Sequence, residues 1–242
     1  MVWELILILR NPTALIILNS QFVPLGTLEA VLIEKNYSIT YLDATQEDIK
    51  TISPTDPDLV VVLGGPQSPY EQEKYPYLRD EIEFLKIRIQ QDMPTIGIAL
   101  GAQLIACSQN ATVVSGSSKG LNIEIGWYNL DVKNEILSMY NNKDSKVLIW
   151  QNDFYEPPKN SIVLASASSY GCQAFQIGKN CLALQFHAEV TQAIIDVWIE
   201  KLPDDLLNAS VDENELKLEN KKYIDMMMEN SEKLWSSWLE RQ

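Results

Sequence analysis

The chain has 242 residues, 46% of them hydrophobic, with three cysteines and a formal net charge of −14. That length buries one large core, and an α/β fold of this size needs no second domain. The acidic balance argues against a nucleic-acid surface, which needs clustered Lys and Arg, and cysteines without a close-spaced pair argue against a zinc site or disulfide framework and fit a reducing cytoplasm.

Met1 to Arg10 is apolar but lacks a basic start and a small-residue cleavage site. It is far shorter than the roughly 20 residues of a membrane span, and is expected to be a strand or a short hydrophobic arm. Ala14 to Leu18 is a continuous apolar run, the mark of a strand buried on both faces, and Leu25, Leu28, Val31, Leu32 and Ile33 follow at helical spacing. Ser38 to Leu42 and Leu59 to Leu63 are predicted strands, the second running into Gly64-Gly65-Pro66. Tyr77 to Gln90 reads as a helix and Pro94 to Ile98 as the next strand. Strands alternating with helices predict a doubly wound, mainly parallel sheet covered on both faces, with ligands at the carboxyl ends of its strands.

From Thr112 to Phe186 the pattern shifts to short strands at 112–114, 124–132, 147–150, 162–165, 173–177 and 182–186. They predict a partly antiparallel section beside the main sheet. Thr191 to Lys201 is helical behind a capping Thr. Two units are expected, 1–205 and a helical extension over 206–242. The extension carries Ile224, Met227, Leu234, Trp235 and Trp238 in a stripe suited to its own domain or to docking a partner subunit or dimer mate.

Gly97-Ile98-Ala99-Leu100-Gly101 has the layout of a nucleophile elbow, a turn from strand to helix so tight that its central residue is strained and exposed above the sheet. Here that central residue, Ala99, cannot attack anything. His187, the only histidine, ends another strand two residues before Glu189, the spacing of a base and its orienter. Gly64 and Gly65 end a third strand, where a chain without Cβ can bring an N–H close to a reacting carbonyl.

Leu63 to Glu71, Gly97 to Leu104, Glu124 to Trp127 and Gln185 to Thr191 together resemble the motifs of class I glutamine amidotransferases, above all free-standing proteins similar to the amidotransferase part of GMP synthase. The resemblance implies a flavodoxin-like three-layer sandwich and a Cys-His-Glu triad that hydrolyses a γ-glutamyl amide through a thioester, without metal or cofactor. By motif, Ala99 holds the nucleophile position, His187 is the base and Glu189 its orienter. Gly65 and Leu100 hold the oxyanion positions, while Gly64, Gln103, Trp150 and Gln151 are expected at the substrate. Gln151 stands where many relatives have His, and Ala188 replaces a usual Pro.

Three readings of Ala99 follow: an engineered, inactive form of a γ-glutamyl amide hydrolase or glutaminase, a natural pseudo-amidotransferase that binds a γ-glutamyl compound or a synthetase partner, and a structural subunit that activates a synthetase. Trp127, Tyr128, Trp150, Phe154 and Tyr155 are candidates to line an apolar site for an aromatic or alkyl leaving amine, γ-glutamylanilide being one compound to test.

Overall fold

A computed structural model describes residues 10–167 and 169–242, so the expected N-terminal arm lies almost wholly outside the described residues. The apolar runs form β1 (Thr13–Leu18), β2 (Ser38–Asp43), β3 (Leu59–Val62) and β4 (Thr95–Ile98), with helices α1 (Thr27–Glu34), α2 (Tyr77–Gln90) and α3 (Leu100–Ser108) between and after them. Short strands follow: β5 (Val113–Ser115), β6 (Glu124–Asn129), β7 (Asp131–Val132), β8 (Lys146–Gln151), β9 (Asp153–Tyr155), β10 (Ser161–Ala167), β11 (Gly171–Ile177) and β12 (Cys181–Leu184). The chain then runs through α4 (Gln192–Lys201), α5 (Pro203–Ala209) and α6 (Glu213–Leu239).

Among the described residues the central sheet has eight strands in the order β2-β1-β3-β4-β12-β11-β10-β7. The first five run parallel and the last three antiparallel. Strand β1 shows why the parallel part needs layers on both faces. Its Ala14 and Ile16 join the layer that holds Leu28, Ile195 and Trp235, while Leu15 and Ile17 join the one that holds Leu85, Leu104 and Ile105. A period-2 strand apolar at every position buries two faces.

Two expectations are corrected here. Strand β12 belongs to the parallel sheet and pairs with β4, because Cys181 to Leu184 is buried at every position, as a central strand must be. Residues 124–132 are not one strand: Leu130 turns into the core at 8% exposure, so β6 pairs with β8 while β7 pairs with β10.

Asp212 caps α6, its carboxylate accepting the N–H groups of Asn214 and Glu215. The helix turns its stripe inward, burying Ile224, Met227, Leu234, Trp235 and Trp238 in the core that also backs β1. Buried polar groups pin it further: Trp127 donates its indole N–H to Asn220 at 2.7 Å, and the Tyr140 and Ser231 hydroxyls lie 2.9 Å apart. These stripe residues pack inside the chain. No helix among the described residues is long and apolar enough to cross a membrane.

Candidate active site

The strand-to-helix turn after β4 puts Ala99 at φ 52°, ψ −110°, a conformation that costs of order 1–3 kcal/mol in a residue with a Cβ. Its neighbours must be glycine: a Cβ on Gly97 would lie 2.6 Å from the Gly101 carbonyl oxygen, and one on Gly101 would lie 2.1 Å from that of Val62. Ala99 N–H donates to the Leu184 carbonyl at 2.8 Å, tying the elbow to β12. Leu100 is the first residue of α3, where backbone N–H groups are unpaired along the chain and the helix dipole is positive.

The parallel pairing of β12 with β4 brings His187 to this elbow. Its backbone N–H donates to the Leu148 carbonyl at 2.9 Å, fixing the strand end against β8. Its Nδ1 lies 2.7 Å from Glu189 Oε1, both side chains being buried, which leaves Nε2 as the ring nitrogen available to a ligand. The Trp198 ring meets the imidazole edge-on at 4.7 Å between centroids. The Glu189 carbonyl accepts the Thr27 N–H at 2.8 Å, and the Thr27 hydroxyl donates to the Ala188 carbonyl at 3.0 Å. Gly64 lies between the two groups, for a Cβ there would stand 3.4 Å from Ala99 Cβ and 3.7 Å from His187 Cε1.

Gly65 packs on Asn19, where an added Cβ would come within 2.8 Å of Asn19 Cβ. Asn19 in turn accepts Gln67 Nε2 on its carbonyl at 3.2 Å and donates its amide to Glu81 Oε2 at 3.3 Å. Glu81 is fully buried on α2, and burial pushes its pKa up to about 8 against the lowering effect of the Asn19 hydrogen bond. The folded state therefore holds a proton that the unfolded state gives up, and stability should fall as pH rises from about 4.5 to about 8, then level off. Glu81→Gln should remove that slope and leave the variant more stable than its parent at pH 9, as urea unfolding across the range will show; parallel pH profiles would overturn the assignment.

A cavity of about 360 Å³ opens above the elbow, lined by Gly65, Ala99, Leu100, Gln103, Trp150, Gln151 and His187 among the residues expected there. Gln103 donates to Gln185 Oε1 at 3.2 Å, and its own Oε1 is buried without a hydrogen-bond partner among the described residues. Gln151 is engaged on both sides, donating to Glu124 Oε2 and accepting from Gln173. It lines the wall with one hydrogen bond already made at each polar atom.

Of the five aromatic residues expected in a leaving-group site, only Trp150 lines the cavity. Trp127 is buried against Tyr223, half-buried Tyr128 packs on the same core, and Tyr155 packs on Phe175. Phe154 lies under Lys119 in a separate depression of about 760 Å³ that contains none of the other expected site residues. Alternation along β9 sends Phe154 and Tyr155 to opposite faces, which separates that pair. Sequence reasoning missed Asp153, Trp198 and Asp205, which also line the cavity. Asp153 accepts the Ser68 and Tyr70 hydroxyls at 2.6 and 3.1 Å, and its burial pushes its pKa up.

An elbow above a parallel sheet, with a carboxylate-bound histidine at the adjoining strand end, makes this an α/β protein with its candidate site at the carboxyl ends of the parallel strands. The chain belongs to the class-I glutamine amidotransferase family, whose model matches residues 26–197. It is 29% identical over 160 residues to the glutamine amidotransferase-like protein YfeJ of Salmonella typhimurium, a match covering 63% of this chain and 65% of that one. It is 30% identical over 149 residues to the glutamine-hydrolysing GMP synthase of Campylobacter hominis, covering 60% of this chain and 27% of the synthase. The matches thus span less than two thirds of these relatives' lengths. The crystal structure of a glutamine amidotransferase from Thermotoga maritima superposes with a TM-score of 0.82 at 27% identity, covering 96% of this chain and 99% of that one.

Proposed function

We propose that the cavity takes the γ-glutamyl end of an amide and that position 99 is a nucleophile position, so that the chain with Ala99 binds a γ-glutamyl amide without cleaving it. The observation that carries this reading is the His187–Glu189 pair, 2.7 Å apart and buried, set beside a strained elbow that ends in a methyl group. A buried carboxylate and a left-handed alanine both oppose folding. A chain needing only the scaffold has no physical use for either.

With Cys at 99, its thiolate would attack the γ-carbonyl while the Gly65 and Leu100 N–H groups hold the oxyanion. His187 would pass its proton to the leaving amine as the C–N bond breaks, leaving a γ-glutamyl thioester. Water, deprotonated by His187, would then release glutamate and the thiolate. Glu189 steadies the imidazolium throughout, and Gln103, with an unpartnered buried oxygen, supplies a polar contact to the substrate.

A second reading rests on Ala99 itself: without turnover the chain supplies no ammonia, so a synthetase partner would use it as a binding subunit only. Titration calorimetry of the unmodified chain separates the two. Expected is one site per chain for L-glutamine or a γ-glutamyl alkylamide, weakened about tenfold by Gln103→Ala, the size of one lost hydrogen bond. Absence of binding by every γ-glutamyl amide would leave only the second reading.

A further inference from the structure

The side of the cavity that receives the leaving amine can be located, given the γ-glutamyl binding proposed above. His187 must hand its proton to the departing nitrogen, so that nitrogen lies at the imidazole and its substituent runs outward from there. Outward from His187 comes Trp198, at 4.7 Å between ring centroids, and then Trp150, 5.6 Å from Trp198. Both indole N–H groups are already used by the protein. Trp198 donates to the Phe22 carbonyl at 2.7 Å and Trp150 to Asp205 Oδ2 at 2.9 Å. With their N–H groups engaged, the two rings have only carbon left to present to the cavity they line.

The path ends at a carboxylate. Asp205 lines the cavity, is half-buried, and receives no other side-chain hydrogen bond and no ion pair among the described residues. Asp153 lines the cavity as well, and among the described residues no Lys or Arg does. Such a wall repels a leaving group that carries a carboxylate and leaves a neutral one with a charge unanswered.

We infer that the amine released at this site is a diamine, its second amino group protonated and held by Asp205 beyond the Trp198 and Trp150 rings. Ammonia, the leaving group of glutamine, reaches none of these groups. The substrate class is then a mono-γ-glutamyl diamine, and the specificity-determining residues are Asp205, Trp150 and Trp198.

The test uses the unmodified chain, whose Ala99 keeps every ligand intact. Calorimetry at low salt compares the γ-glutamyl conjugate of 1,4-diaminobutane with that of n-pentylamine, which has the same length and no second charge. The diamine conjugate should bind at least about tenfold more tightly, in line with one partly desolvated charge contact. Asp205→Asn keeps an acceptor for the Trp150 N–H and removes only the charge. It should erase the difference by weakening the diamine conjugate while leaving the pentylamine conjugate unchanged, which a merely structural Asp205 would not do. Equal binding of the two conjugates to the unmodified chain overturns the diamine assignment and leaves the γ-glutamyl reading standing. Failure of both conjugates and of L-glutamine to bind overturns both.

Discussion

Ala99→Cys should convert the chain from a protein that holds γ-glutamyl amides into one that hydrolyses them, with a rate gain on the order of 10⁴-fold or more, roughly 5 kcal/mol or more of barrier. The backbone already has the elbow conformation, φ 52° and ψ −110°, so the new sulfur replaces one hydrogen of a methyl and needs no rearrangement of the chain. It would sit at the N-terminus of α3 and beside His187, where the dipole and an imidazolium both favour thiolate. Ground-state affinity should change little. The assay is release of ammonia or amine from L-glutamine and from γ-glutamyl alkylamides and diamines, with Ala99→Cys, His187→Ala as the matched control that should lose the gain. A folded Ala99→Cys variant that binds these amides yet leaves all of them intact would sink the hydrolase assignment.

Gly26→Ala should be the most damaging single-methyl change in the molecule. Gly26 sits at φ 59°, and an added Cβ would fall 1.8 Å from the carbonyl oxygen of Glu189 and 3.2 Å from Ile194 Cδ1. A left-handed alanine costs about 1–2 kcal/mol and a forced backbone shift about 1–3 kcal/mol more, so a loss near 4 kcal/mol is expected in urea unfolding. The backbone that must move carries Glu189, and in an Ala99→Cys background hydrolysis should fall with it. A stability loss below about 1 kcal/mol would mean that the close approach does not exist in solution.

Much of this architecture is legible in the chain because its signals are local. Continuous apolar runs such as Leu59 to Leu63 mark central strands, and Gly97 and Gly101 around Ala99 mark a turn that only small residues allow. The His-x-Glu spacing is likewise contained in three residues. The place of β12 was not legible, because a four-residue apolar strand carries no sign of its partner's direction. Trp198 reads as one more apolar residue on α4 until the fold sets it against His187. Asp205 and Glu81 are further cases. Asp205 meets Trp150 across 55 residues and Glu81 meets Asn19 across 62, and no pattern within either segment encodes the meeting.

Thr27 has one hydroxyl proton and two buried neighbours with opposite demands. The indole N–H of Trp235, 208 residues away in sequence, can only donate to it, at 3.0 Å; the Ala188 carbonyl can only accept from it, also at 3.0 Å. The proton has one orientation that satisfies both, and reversing it would leave a buried carbonyl facing a lone pair. Proton order is thus fixed along Trp235, Thr27 and Ala188, the residue that joins His187 to Glu189. The imidazole and carboxylate hang from a backbone with a single hydrogen-bonding ground state. On the function proposed above, a ligand reaching Ala99 would meet a base and an orienter whose backbone is already held in place.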